Sequence, residues 1–322
     1  MLRLTCQLTI GRFTLDFVND IQIESTWQQL TDTCSIRLPR KALVLGGQLL
    51  PDVLKVGERV EVKYGYDGVL RTEFVGYIVG VKTGPPAEIQ CEDEMYLLKR
   101  KPITHSWRSV SLQGLLEYIR SQAGLSFGIE TLGAANLGKF TINQATGAQA
   151  LDALRKDYGI RSFFRAGVLI AGDPYKAVAQ APRHLLTFSR NVISNDLQYV
   201  RAQDVRIKVR AISHIEGKKK GRKRIVKEFG DLLDGELRTL NFVGVAEADL
   251  EARAKAELAR LRFDGYRGTL TTFGAPYVEH GDVVVIQDPD YPEREGAYAV
   301  DKVVKSFGVG GSRRVITLGP KA

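Results

Sequence analysis

The sequence predicts a mainly β protein of the α+β class, in which two β regions, each a small barrel or sandwich, flank an α/β insert. Three observations predict it. Residues 1–102 and 185–322 alternate apolar and polar side chains at strand period, and residues 103–184 switch to helical period. The two β regions also carry the same module. Near the N-terminus, Val56-Gly57-Glu58-Arg59-Val60-Glu61-Val62 leads through a glycine turn to Phe74-Val75-Gly76-Tyr77-Ile78-Val79, then through Gly-Pro-Pro to Ala87-Glu88-Ile89-Gln90-Cys91. Near the C-terminus, His280-Gly281-Asp282-Val283-Val284-Val285-Ile286 leads to Ala297-Tyr298-Ala299-Val300, on to Val304, and through a glycine turn to Arg313-Arg314-Val315-Ile316-Thr317-Leu318. The landmarks keep step to within about two residues. Duplicated β units on one chain suggest a building block for a ring.

The elements follow in order. Leu4 to Ile10, Phe17 to Ser25 and Asp32 to Leu38 read as alternating strands, with Pro39 closing the third. Lys41 to Leu54 is a looser apolar loop expected to pack on a neighbour. The Gly57–Asp93 module adds three strands, and six or so strands joined by short turns must bury one face and manage their edges as a barrel or sandwich. In the insert, Ser111 can cap a helix whose face carries Leu112, Leu115, Leu116 and Ile119, with Gly124 at its end. Thr146 opens a second helix that Gly159 closes, and residues 160–170 read as a hairpin. Strand patterns return around residues 205–212 and 224–229. A long helix, Ala246 to Arg262, carries the stripe Leu250, Ala254, Leu258 and Leu261 and is expected to pack on the second barrel.

Length and composition bound the function. A chain of 322 residues suffices for two or three cored domains, and 44% hydrophobic with 26% charged residues is ordinary for a globular protein. No apolar run reaches the roughly 20 residues needed to span a bilayer, and Met1-Leu2-Arg3-Leu4-Thr5 lacks a signal-peptide core, which predicts a cytoplasmic protein. Cys6, Cys34 and Cys91 are too irregularly spaced for a disulfide framework or a zinc knuckle and read as buried strand residues. The net charge of +9 is unevenly placed: Arg206 to Lys227 holds ten basic residues and one acid, Glu216.

Candidate sites are few. There is no phosphate loop, zinc-binding helix or nucleophile elbow, so no catalytic residue, cofactor or metal is assigned. Glu92-Asp93-Glu94 could supply paired carboxylates, but only Glu92 and Glu94 share a strand face, and a turn or an ion pair is the simpler reading. The basic tip Lys218, Lys219, Lys220, Arg222, Lys223 and Arg224 could touch phosphates through counterion release. It lacks the aromatics that stack bases, and a solvated hairpin or an acidic protein partner accounts for it as well. Trp27 and Trp107 read as core or interface aromatics.

These modules resemble those of phage tail baseplate hub proteins, the late control protein D group, and the N-terminal part of type VI secretion spike proteins. The resemblance is carried by Gly57-Glu58-Arg59-Val60-Glu61-Val62, Phe74-Val75-Gly76-Tyr77-Ile78, Cys91-Glu92-Asp93, Asn191-Val192-Ile193-Ser194-Asn195, Phe273-Gly274-Ala275-Pro276, Gly281-Asp282 and Glu295-Gly296-Ala297-Tyr298. It covers essentially the whole chain. It implies two tube-like β-barrel domains, residues 1–102 and 185–322, around an insert of residues 103–184, and no enzyme activity. It further implies a homotrimer that forms a pseudo-hexameric ring, a symmetry adaptor between a hexameric tail tube and a trimeric spike. Other baseplate or tape-measure proteins, and non-specific DNA contact, are the further partners expected of a particle assembled in the host cytoplasm. The sequence ends at Ala322 soon after the second module, so the spike is expected to be a separate polypeptide. Open strand edges closing against neighbours would drive assembly, with Leu49, Leu50, Gly57, Val60, Val62, Gly281, Val283 and Val285 as interface candidates and Leu49-Leu50 to Asp-Asp as the disrupting change. Two other readings stand beside it. A tail-associated peptidoglycan hydrolase would draw on His105, Glu117, Glu130, Asp152 and Asp157, which form no recognisable constellation, and a nucleic-acid-binding protein would act through residues 206–227.

Overall fold

The computed structural model describes residues 3–39, 49–216 and 222–322. The first module comprises β1 (Leu4–Ile10), β2 (Phe13–Leu15), β3 (Asp20–Thr26), β4 (Thr33–Leu38), the single-turn helix α1 (Leu50–Val53), β5 (Arg59–Tyr66), β6 (Val69–Lys82) and β7 (Ala87–Glu92). A short helix, α2 (Met95–Leu98), leads into the insert. There follow β8 (Pro102–Ser111), α3 (Leu112–Ala123), β9 (Gly128–Leu132), β10 (Asn136–Thr146), α4 (Gly147–Tyr158), β11 (Arg161–Arg165) and β12 (Val168–Gly172). The remainder is β13 (Arg183–Thr187), β14 (Val192–Val200), β15 (Ile207–Glu216), β16 (Arg222–Gly230), β17 (Glu236–Val243), α5 (Glu247–Leu261), β18 (Gly265–Phe273), β19 (Val283–Gln287), β20 (Gly296–Gly308) and β21 (Gly311–Lys321).

Local signals place the helices where the sequence predicts them. The Ser111 side chain accepts a hydrogen bond from Gly114 N, and Gly124 ends α3 in the left-handed conformation. Thr146 and Gln149 form a reciprocal capping box on α4, which Gly159 closes. The apolar faces of both helices pack on β8, β10 and β12 through Leu115, Leu116, Leu151, Phe140 and Leu169, and this core also takes in Met95 and Leu98.

The α+β, mainly β class is the one predicted, but the two modules are not independent units. Backbone pairing runs unbroken through β14-β18-β21-β20-β3-β4-β7-β6-β5-β1-β2, with β19 set between β13 and β20. The joint is β20. Its first residues pair with β19, most of its length pairs with β21, and Lys302 to Gly308 pair antiparallel with Thr26 to Asp20 of β3. Phe307 of β20 therefore lies in the core of the first module, stacked on Tyr64 at 4.8 Å.

One expectation is corrected. The helix α5 packs chiefly on β15 and β16, touching the second module only at its margin through β21, in a cluster with Val209, Ala211, Phe242, Leu250 and Ala254. This sheet and helix are inserted between β14 and β18, whereas Leu186, Leu270, Val284, Tyr298 and Ile316 form the core of the second module. An apolar stripe states that a helix packs, not what it packs on.

Candidate assembly surfaces

The Gly-acid motif is a turn that launches the same strand twice. Gly57 and Gly281 have φ of +90° and +86°, a region that side chains with a Cβ rarely adopt. Gly57 N donates to Ile78 O at 2.8 Å and Ile78 N to Glu58 O at 3.0 Å; Gly281 N donates to Val300 O at 2.8 Å and Val300 N to Asp282 O at 2.9 Å. The acid closes each turn: Lys55 N donates to Glu58 Oε2 at 3.1 Å, and Glu279 N to Asp282 Oδ2 at 3.0 Å.

The strands so launched are internal, which takes Leu50, Val60, Val62 and Val283 out of the expected interface. Val60 and Val62 are fully buried in the first core, as is Leu50, and Val283 packs with Val178 and Ala299, leaving Leu49 and Val285 half-buried. β5 lies between β1 and β6, and β19 between β13 and β20, so their backbone groups are used within the chain. The paired substitution at Leu49 and Leu50 would therefore damage the core rather than report on assembly. Most of the loop that precedes Leu49, residues 40–48, lies outside the described residues.

The seam between β3 and β20 holds a buried ionic cluster that the sequence reading did not anticipate. Glu73 of β6 has a side-chain exposure of 0%, Arg314 of β21 1% and Lys305 of β20 4%. Arg314 Nη2 lies 2.5 Å from Glu73 Oε1, Lys305 Nζ 3.2 Å from Glu73 Oε2, and Lys305 Nζ 2.7 Å from Glu279 Oε1. Arg314 also donates to the carbonyls of Gly274 and Val278. Two cations thus face two carboxylates, one of them supplied by the first module. The signal that could have revealed it is strand alternation, since Lys305 falls in the inward series Val303, Lys305, Phe307 and Arg314 in the series Arg314, Ile316, Leu318.

A second polar group lies beside it. Ser25 Oγ donates to the Asp32 carboxylate and stands 2.9 Å from His280 Nδ1. Burial pushes the inward-turned Asp32 carboxyl up to about 7 and, together with the nearby Arg165 and Lys305 charges, holds His280 well below the usual histidine range. Asp93 is held well above the carboxylate range, by burial first and by Asp32 second, and its oxygens accept from Asp32 N and Met95 N. The geometry is not that of a nucleophilic triad, which needs the histidine between the hydroxyl and the carboxylate. Trp27 fills the corner where both modules meet the insert, 4.7 Å from Tyr175 and clustered with Phe163 and Ile170. Tyr175 Oη in turn donates to Asp301 Oδ1 at 2.9 Å.

The remaining candidates are placed apart. Glu92 pairs with Lys99 at 2.7 Å and Glu94 precedes α2, so the acidic triplet is a turn with an ion pair. His105 packs against Trp107 and Tyr118, and Asp152 pairs with Arg155 and Lys156. Among the described residues no group of three His, Cys, Asp or Glu could hold a metal, and no helix is long and apolar enough to cross a membrane. Lys218, Lys219 and Lys220 lie outside the described residues. Arg222 and Lys223 continue β16 opposite Glu216 and Ile215, and Arg224 is exposed. Part of the basic stretch is neutralised on the sheet: Lys208 and Arg210 both pair with Glu228, and Lys227 pairs with Glu247.

No protein-family model and no curated protein sequence matches the chain. Solved structures resemble it along nearly its whole length. The tail protein from Neisseria meningitidis MC58 is 17% identical with a TM-score of 0.69, covering 99% of this chain and 96% of that one. The 43 kDa tail protein of prophage MuSo2 from Shewanella oneidensis is 17% identical with a TM-score of 0.65, covering 98% of each. An E. coli component of the type VI secretion system, described as structurally similar to bacteriophage T4 tail proteins, is 13% identical with a TM-score of 0.60, covering 98% of this chain and 77% of that one. The fold of this chain is that of phage tail proteins and of a type VI secretion component, as the resemblance in its sequence implied.

Proposed function

We infer that the chain is a structural hub of a phage tail baseplate or a tail-like injection machine. Three copies close a ring of six modules that joins a hexameric tube to a trimeric spike. The observation that carries this reading is the pairing of β3 with β20, which sets two copies of one module side by side in a continuous sheet. A protomer that already holds two adjacent modules needs only threefold symmetry to present six.

The sheet has the two faces such a ring needs. Ile21, Ile23, Ile36, Ile89, Leu270, Val303 and Ile316 point into the cores, and the opposite face of the same strands carries Gln22, Ser35, Gln90, Thr269, Thr271 and Thr317. This polar face lines the lumen. A tail tube protein above and a spike below are the partners, and the chain acts by assembly rather than by catalysis. Light scattering across concentration, with negative-stain class averages of the same sample, tests the reading. Three-chain particles with a sixfold outline are expected, and a monomer at every concentration overturns it.

A further inference from the structure

The joint inside the chain has a counterpart that a single copy leaves unfilled. Ile78 and Val300 match, because each exchanges the same hydrogen bonds with its Gly-acid turn. Just after both, the ladder to the next strand shifts register, between Ile78 and Gly80 in β6 and between Val300 and Lys302 in β20. From there Gly80, Val81, Lys82 and Thr83 match Lys302, Val303, Val304 and Lys305. Carried across β7 and β4 on one side and β21 and β18 on the other, the registers match Thr26, Ser25, Glu24 and Ile23 of β3 with Val200, Tyr199, Gln198 and Leu197 of β14. Within the chain, β3 fills the side of β20 beyond Val300. Among the described residues, the same side of β6 beyond Ile78 and the outer edge of β14 have no strand partner.

We propose that β14 of one copy pairs antiparallel with the end of β6 in a second copy of this chain, with Val200 opposite Gly80, Tyr199 opposite Val81, Gln198 opposite Lys82 and Leu197 opposite Thr83. The proposal rests on the ring reading and gives it a register. Two further observations fit this joint. Val56, 60% exposed, matches His280, which within the chain is buried against Ser25; the match of Ser25 is Tyr199, at the wall of a surface cleft of about 510 Å³ that Arg201 and Arg294 also line. Glu295 matches Glu73, and Lys55 matches Glu279. Both Glu295 and Lys55 are exposed, so an acid of one copy meets a base of the other where the internal seam has its ionic cluster.

The full chain carrying Gln198→Cys and Lys82→Cys tests the register. Directly opposed residues of antiparallel strands have Cα atoms about 4.5–5.5 Å apart, within the range a disulfide spans. Oxidation should give a covalent species of three chains, reduced to one by thiol, with Gln198→Cys alone as the background for Cys6, Cys34 and Cys91. The pair Gln198→Cys with Gly84→Cys, displaced by two residues, should cross-link about tenfold less. Three-chain particles that cross-link only through the displaced pair overturn this register and leave the ring reading standing; a monomer under all conditions overturns both. Glu295→Lys or Lys55→Glu alone should weaken association about tenfold, and the double exchange should restore it to within about threefold. Equal losses in the single and double variants, with melting unchanged, count against the joint.

Discussion

The two β modules share their turns and register shifts and differ in what they carry on them. In the first, β3 and β4 are joined by residues 27–32; in the second, residues 201–264 stand between the matching strands β14 and β18 and fold as a sheet and helix with their own core. The seam-facing positions differ as well. The second module places Lys305, Arg314 and Glu279 where the first has Thr83, Ala87 and Lys55. Backbone geometry is held by local demands of turn and pairing, whereas side chains at a joint answer to whatever lies across it. A joint that never opens can bury two full ion pairs, while one that must form between separate chains keeps its charges in water until it closes.

Substitutions at matching positions separate what the two modules do with the same backbone. The largest effect is expected for Glu73→Ala, which strands Arg314 and Lys305 in the seam. A loss of about 3–5 kcal/mol in denaturant unfolding is expected, against about 1 kcal/mol for the matching Glu295→Ala in the isolated chain, which loses the hydrogen bond from Asp288 N. A small effect at Glu73 would mean that the cluster is solvated. Next come Gly57→Ala and Gly281→Ala, each costing about 1–2 kcal/mol because both turns require positive φ. Unequal melting shifts would show that only one turn is strained by its surroundings, Gly281 being the closer packed with Arg165 3.0 Å from a Cβ there, against Tyr96 Oη 3.2 Å from one at Gly57. A cap away from the seam should matter locally: Thr146→Ala should cost about 1 kcal/mol in denaturant unfolding at any protein concentration.

The effect of pH comes from two groups that act in opposite senses. A carboxyl raised in the folded state binds its proton more tightly there than in the unfolded chain, so the stability it contributes is full below the unfolded value and is lost as pH rises through about 7 for Asp32. His280, lowered by burial, acts in the opposite sense, stabilising above its unfolded value and losing that contribution as pH falls. Comparing wild type with Asp32→Asn separates them: relative to wild type, the variant's unfolding midpoint should rise at pH 8 compared with pH 5. An identical pH profile would mean that Asp32 stays ionised in the fold.

Much of the fold was legible because its signals are local. Ser111, Gly124, Thr146 and Gly159 bound the two insert helices by satisfying nearby backbone groups, and the Gly-acid pairs mark their turns because only a residue without a Cβ sits easily there. Val60 and Val62 turned out to be core residues for a related reason. Alternation shows that Val60 and Val62 face one way but not whether that way is the protomer's core or a neighbour, and only the strands laid on either side of β5 decide it. Charges at inward positions, Glu73, Lys305 and Arg314, were visible as breaks in the apolar series. Their meaning required partners more than 200 residues away in the chain.

The repeated module, its turns, the helix caps and the mainly β class all rest on interactions between residues close in the chain, so the order of amino acids is enough to set them. That the two modules fuse through β3 and β20, that α5 belongs to a separate sheet, and which edges lack a partner among the described residues are set by the folded arrangement alone. Pairing between distant strands depends on which backbone groups are still free once every nearer partner has been taken, and that is a property of the assembled sheet.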